Sequence, residues 1–306
     1  MGGIEEVVAR MPGWAGREIR ISPIAAGLTN RNYRVEVDGT PQFVRIPGPA
    51  TELLAVDREN EAFNTRAAAE AGVGPEVIAA LTDPAALVLA WLPGRTMSND
   101  AFQAEGLPAR IAESLRRLHA GPHFRDDFDM VQLAERYLRL VDERSIPIPA
   151  GYRERLDRIP RIERALAAHP LPKVPCHNDL LAENYLDDGD RLWIVDYEYS
   201  GNNDPTFELG NTAQELELDE RRVRELCAAY FGPERFAREG LRLLARMRLQ
   251  MIMSDVGWTL WAAIQAVISP IDFDFTAWSN DRWDRASAML DGPDFEGWLR
   301  DAGSGS

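Results

Sequence analysis

Lysine is almost missing from this chain. Lys173 is the only one among 306 residues, so nearly all basic charge is arginine. A Walker A loop needs a lysine behind its glycines, and no such segment exists, which excludes a P-loop nucleotide site. Cysteine is scarce as well. Cys176 and Cys227 alone do not indicate a disulfide framework, and a reducing cytoplasm is the expected setting. No His/Cys spacing suggests zinc. Positive charge is in deficit, with a formal net charge of -15. Nucleic acid and anionic membranes need a basic footprint, so neither is expected as a partner. Nucleotides are not excluded, because arginine, backbone amides and metal can hold phosphates locally. No apolar run approaches the roughly 20 residues of a membrane span, so no membrane insertion is expected. The start, "MGGIEEVVARMPGW", lacks the basic opening and apolar stretch of a signal peptide.

What is present is an ordinary core-forming composition, 45% hydrophobic, arranged in two regimes. From Ile19 to Pro47 the chain alternates like strands: "REIRISPI", "RNYRVEV", an Asp38-Gly39 turn, then "PQFVRI". "VDRENEAFNTRAAAEAG" reads as a helix closed by Gly72, and "PEVIAAL" and "ALVLAWL" as two further strands ending at Pro93-Gly94. After Arg95, apolar spacing near 3.6 predicts helices almost throughout. The expected fold is α+β: a small β-sheet lobe over residues 1–92, a hinge near 90–94, a larger helical lobe over 95–300 and a flexible tail at 301–306. A cleft between two such lobes is a natural ligand site.

One stretch breaks the helical regime: "CHNDLLAENYLDDGDRLWIVDYEYSGNND", Cys176 to Asp204. It holds a His, six Asp, two Glu and four Asn around two short apolar runs. Carboxylates so close repel one another unless a cation lies between them, which points to a metal ion. Asp and Asn are also common in turns, so the spacing alone is compatible with a polar loop between strands.

"HNDLLAEN" resembles the catalytic loop of eukaryotic-like kinases, H-x-D-L-x-x-x-N, and "IVDYE" resembles their metal-binding segment. Together they resemble the aminoglycoside phosphotransferase and choline kinase superfamily. "DYEYSGNNDPTFELGN" is similar to the choline/ethanolamine kinase family in particular, and the likeness covers nearly the whole chain. It implies a protein-kinase-like two-lobed fold, ATP and Mg²⁺ as cofactors, and phosphoryl transfer to an amino alcohol. Asp179 would accept the substrate hydroxyl's proton, with His177 orienting the loop. Asn184 and Asp196 would hold Mg²⁺, as oxygen ligands suited to that ion, and Glu198 would help hold the metal or stay a solvated carboxylate. Glu208 stands where the family has an Asp that holds the loop backbone, which puts that contact in question.

The same resemblance assigns the first lobe to nucleotide. In "AAGLTNRNYRV", Gly27 would allow close backbone approach, and Thr29 and Asn30 would donate to phosphate oxygens. Arg45 in "FVRIPG" would replace the usual lysine on the phosphates, paired with Glu61, or with Glu59 as the alternative. Backbone groups of Ala90, Trp91 and Leu92 would face adenine, although Trp91 also reads as core. "SDVGWTLWAAIQAVISPIDFDFTAWSNDRW" resembles the segment that walls the choline pocket. Trp258, Trp261, Phe273, Phe275 and Trp278, with Tyr199, would form an aromatic box for a quaternary ammonium, and Glu215 and Asp272 would add negative charge. The same rings also suit plain packing. "LELDERR" is charged where the family has further aromatics, so the box is partial. The alternatives are a same-fold kinase for ethanolamine, homoserine, a sugar or an aminoglycoside, and a non-catalytic nucleotide-binding pseudokinase.

Overall fold

The structure, a computed structural model, describes residues 3–25, 27–48, 51 and 53–304. A short helix, α1 (Ile4–Arg10), precedes three consecutive antiparallel strands, β1 (Ile19–Ile24), β2 (Asn30–Val37) and β3 (Thr40–Pro47). Asp38 and Gly39 both have positive φ, 49° and 81°, the conformation that a two-residue hairpin turn requires. Helix α2 (Arg58–Glu70) follows, capped by Asp57, whose carboxylate accepts from the Glu59 and Asn60 N–H groups. Gly72 ends this helix at φ 74°. Strands β4 (Val77–Thr82) and β5 (Ala85–Ala90) complete a five-stranded sheet in the order β1-β2-β3-β5-β4.

Alternation along these strands sorts their side chains onto two faces. Val35, Val44, Ile46, Ala86 and Val88 pack with Ile4, Val7, Met11 and Trp14, so α1 and the turn behind it cover one face. Leu87 and Leu89 face Ala62 of α2 on the other. Helix α1 escaped the sequence reading because seven residues with a Gly cap carry little periodic signal.

Beyond β6 (Arg95–Thr96) the chain is mainly helical: α3 (Asn99–Phe102), α4 (Leu107–His119), α5 (Met130–Arg144) and α6 (Ile159–Ala168). The acidic stretch then forms β7 (Val174–Cys176), β8 (Tyr185–Asp187), β9 (Leu192–Ile194) and β10 (Gly201–Asn203). These make two small sheets, β6-β8-β9 and β10-β7. Helices α7 (Pro205–Glu215), α8 (Glu220–Phe231), α9 (Pro233–Ile268), α10 (Phe275–Asp291) and α11 (Phe295–Gly303) follow.

Helix α9 is the axis of the helical part, with α5, α7, α8, α10 and α11 packed along it. Its most apolar 18-residue window has a mean hydropathy of 1.3, long and apolar enough to cross a membrane, yet 83% of that window is buried inside the fold. A helix apolar on all sides is what a central core position demands. Gly210 allows α7 to lie directly on α9: a Cβ there would come within 2.8 Å of the Met247 carbonyl oxygen. Helix α11 runs through Gly303 with Ala302 buried, which corrects the first three residues of the tail expected from 301.

Candidate active site

The loop between β7 and β8 is held from beneath by α7. Both carboxylate oxygens of Glu208 accept backbone N–H groups, from His177 and Asn178, each at 2.7 Å. The longer side chain in place of Asp therefore reaches the loop backbone. Asn211, one helical turn on, accepts from Leu180 N–H at 2.7 Å. Asn178 sits at φ 69° and Asp196 at φ 74°. Such conformations cost energy in non-glycine residues and persist only where neighbours enforce them. For Asn178 the neighbours are the carbonyls of Cys176, Tyr199 and Gly201, which its amide faces at 3.1–3.3 Å.

His177 is fully buried, and its Nε2 donates to the Val195 carbonyl at 2.8 Å. That bond leaves Nδ1 to accept from Asp179 N–H at 3.3 Å. Burial lowers the imidazole's pKa, so the ring is a neutral brace between the two loop ends. Asn184 donates from Nδ2 to the Asp179 carbonyl at 2.8 Å, which leaves its Oδ1 for a cation. Beneath the loop, His119 Nε2 lies 3.6 Å from Glu208 and 3.7 Å from the Cys176 sulfur. These three could in principle ligate a metal. Glu208 is already taken by two backbone donors, and His119 Nδ1 bonds Tyr230 Oη at 2.6 Å. The trio is a hydrogen-bonded support.

Above the loop, two arginines meet three carboxylates. Arg45 on β3 pairs with Glu61 on α2 at 2.7 Å and with Asp196 at 2.5 Å. Arg58 pairs with Glu61 at 2.7 Å and with Glu198 at 3.1 Å. Glu59 pairs instead with Arg125 at the surface, which decides between the two candidate partners of Arg45 in favour of Glu61. One negative charge remains uncompensated in a buried cluster. Its effect falls on Glu198, whose pKa is pushed up to about 7 by burial and by Asp196, against Arg58 and Arg45. A divalent cation held by Asn184 Oδ1, Asp196 and Glu198 fits both this oxygen-rich donor set and the surplus charge.

Gly27 has φ 99°, a conformation suited to glycine. Asn30 is committed differently from the sequence expectation. It donates to Glu198 at 2.9 Å and accepts from Arg58 at 2.8 Å, tying the β1–β2 turn to the charge cluster. Thr29 abuts Gly48, where a Cβ would fall 2.0 Å from the Thr29 carbonyl oxygen. Ala90 N–H is already bonded to the Glu76 carbonyl at 2.9 Å. Trp91 is 39% exposed, with the Arg34 guanidinium 5.2 Å from its ring centre, so the core reading of Trp91 is corrected. Leu92 is half-buried just past it.

The six aromatics come together. Tyr199 stacks edge-on to Trp258 at 4.9 Å and accepts from Trp261 Nε1 at 2.7 Å. Trp261 contacts Phe275 at 5.9 Å and Trp278 at 5.5 Å, and Phe273 touches both of those rings. Glu215 is buried beside them, whereas Asp272 is exposed on the approach to α10 and does not join the cluster. Two charged residues here went unnoticed in the sequence: Arg282, paired with Glu215 and lying over Trp278, and Arg285, paired with the buried Asp255. Asp179 lies within the electrostatic reach of this region. Burial, Glu215, Asp196 and Glu198 push its carboxyl well above the usual range, and Arg282 opposes them.

An acidic loop braced by a buried carboxylate, beneath an arginine carried on a β-sheet, is an arrangement for phosphoryl transfer. The chain belongs to the phosphotransferase enzyme family, which matches residues 20–244. It is 34% identical to a choline/ethanolamine kinase family protein of Mesorhizobium loti, with 99% of each chain covered and a TM-score of 0.82, which places it in the choline/ethanolamine kinase branch. It is also 27% identical to Protein LicA of Haemophilus influenzae over 244 residues, covering 78% of this chain and 90% of that one. Ethanolamine kinase 2 of Mus musculus is 26% identical over 310 residues, covering 93% and 80%.

Proposed function

We propose that this protein is an ATP- and Mg²⁺-dependent kinase that phosphorylates the hydroxyl of choline or a closely related amino alcohol. The carrying observation is that a largely buried aromatic cluster with its own carboxylate, Glu215, lies within electrostatic reach of Asp179. A quaternary ammonium makes no conventional N–H hydrogen bond and is held by ring faces and nearby negative charge. With its ammonium among Tyr199, Trp258, Trp261 and Trp278, a short amino alcohol would turn its hydroxyl toward Asp179. The names of the relatives, choline/ethanolamine kinase and ethanolamine kinase, support the same substrate class.

In this reading the β-rich part up to Leu92 carries the nucleotide and the helical part the acceptor. Arg45 offers its guanidinium to phosphate oxygens while Glu61 keeps it in place. Asp179 accepts a hydrogen bond from the acceptor hydroxyl and aims its lone pair in line with the γ-phosphorus. As the new O–P bond forms and the bond to the β-phosphate oxygen breaks, the hydroxyl proton passes to Asp179 and ADP leaves. His177, neutral and bonded at both nitrogens, positions the loop and takes no proton. Mg²⁺ held by Asn184, Asp196 and Glu198 would neutralise charge on the phosphates and on these carboxylates, and so favour the ionised form of Asp179.

Glu215 keeps one oxygen, Oε1, without a hydrogen-bond partner. That acceptor favours an amine bearing N–H, so ethanolamine is the second reading. The test is ADP release with Mg²⁺ and ATP across choline, dimethylethanolamine, ethanolamine, homoserine and an aminoglycoside. Release rising with N-methylation is the expected result. A preference for ethanolamine keeps the kinase and moves recognition to Glu215. Release only with homoserine or the aminoglycoside overturns the acceptor assignment, and release with none overturns the kinase.

A further inference from the structure

Arg282 stands where a substrate cation would. It lies on α10 one turn after Trp278, and its guanidinium carbon is 3.5 Å from the centre of that ring. Its Nη2 pairs with Glu215 Oε2, and each side chain is only 3% exposed. The pair is loosely satisfied, since Glu215 Oε1 and Arg282 Nε have no hydrogen-bond partner. Its neighbour is different: Arg285 grips Asp255 through Nε to Oδ2 at 3.2 Å and through Nη2 to Oδ1 at 2.7 Å. Two-pronged pairing is the stronger arrangement for a buried arginine and carboxylate. A cation on a tryptophan face beside one carboxylate oxygen is the contact set by which an alkylammonium is bound. In this structure Arg282 makes those contacts.

A buried carboxylate left alone is strongly unfavourable, so Glu215 needs a positive charge at all times. Arg282 supplies it before substrate arrives. Once an ammonium enters, two cations compete for one ring face and one carboxylate. We propose that Arg282 is a resident stand-in for the substrate's ammonium, and through that a specificity-determining residue. The incoming cation replaces the guanidinium at Trp278 and Glu215 Oε2, and the guanidinium leaves the ring. This rests on the amino alcohol kinase reading above. Binding is then an exchange of one cation for another. An uncharged alcohol cannot take part without leaving Glu215 bare, so the exchange selects against sugars.

Calorimetric titration of choline into the nucleotide-free protein tests this. Arg282→Met should bind choline about tenfold more tightly than wild type, the order expected when one desolvated cation–π contact loses its internal competitor. Arg282→Lys keeps the charge and should bind like wild type. Equal or weaker binding by Arg282→Met makes Arg282 a fixed wall and overturns the proposal. If that variant does not fold, a crystal structure of wild type with choline decides. Arg282 displaced from the Trp278 ring supports the exchange. Arg282 still stacked there, with choline bound elsewhere, overturns it and leaves the kinase reading standing. Wild-type protein that binds neither choline nor ethanolamine overturns both.

Discussion

At the scale of single residues, the half-buried Asp179 and the buried Asp255 show two uses of a poorly solvated carboxyl. Asp179 has to be ionised to act as a base, yet burial and three carboxylates hold it toward the neutral form. In the proposed mechanism its ionisation would therefore depend on cations arriving, at Asp196 and Glu198 and at the aromatic cluster. Asp179→Asn should lower kcat by about 10²–10⁴-fold, the range for losing a positioned base, with the nucleotide Kd changed by less than about twofold. Steady-state kinetics with a fluorescent nucleotide titration would check it, and an undiminished kcat would remove Asp179 from the mechanism. Asp255 is structural. Its pKa is raised from 3.8 to about 6, chiefly by burial, with Arg285 opposing. Below pH 4 both folded and unfolded chains hold this proton. As pH rises toward 6 the unfolded chain gives it up first, so stability is lost over that interval. Wild type should lose about 2–3 kcal/mol relative to Asp255→Asn between pH 4 and 7. Urea unfolding of both proteins across that range reads the difference, and parallel curves would contradict it.

At the scale of elements, α2 is the part whose placement matters most, because it carries Glu61 to Arg45. The helix brings a sparse apolar face, Ala62, Ala67 and Ala68. It is tied down by asparagines: Asn60 and Asn64 both donate to the Ser200 carbonyl at 3.0 Å, and Asn64 Oδ1 accepts from Arg125 N–H at 2.9 Å. Asn64→Leu matches the burial but strands the Arg125 N–H, at about 1–3 kcal/mol for a group left unpaired, while the Ser200 carbonyl keeps only its bond from Asn60. The variant should be destabilised by that order in urea and should show a raised KM for ATP as α2 drifts. A change under about 0.5 kcal/mol would mean that packing holds the helix. This tie also shows what a sequence can and cannot disclose. Strands β1 to β3 and the Asp38-Gly39 turn follow from local spacing, and so were readable. The loop from His177 to Asn184 and the link from Arg45 to Glu61 were readable through a motif. Arg58 to Glu198 and Glu215 to Arg282 span 140 and 67 residues. No local period connects such pairs, and Asn64 resembles any polar residue on a helix until Ser200 is beside it.

At the scale of the whole molecule, the five-charge cluster is the seam between the sheet and the helical body. Arg45 comes from the sheet, Arg58 and Glu61 from α2, and Asp196 and Glu198 from the segment between β9 and β10. The seam is short by one positive charge, so a cation bound there would stabilise the entire fold. Ligand bound only by the native state adds stability by mass action, about 2.7 kcal/mol at a hundredfold excess over Kd. For a chain of this size that corresponds to a rise in Tm of roughly 5 °C. ADP with Mg²⁺ should therefore raise Tm by several degrees more than ADP alone, and added EDTA should reverse the increment. Asn184→Ala, which removes a neutral ligand and leaves the ion pairs intact, should abolish the Mg²⁺ increment while the response to ADP alone persists. Differential scanning fluorimetry with the four combinations of ADP and metal reads this directly. An undiminished Mg²⁺ increment in Asn184→Ala would move the metal away from the catalytic loop, and with it the compensation that Asp179 needs to act as a base.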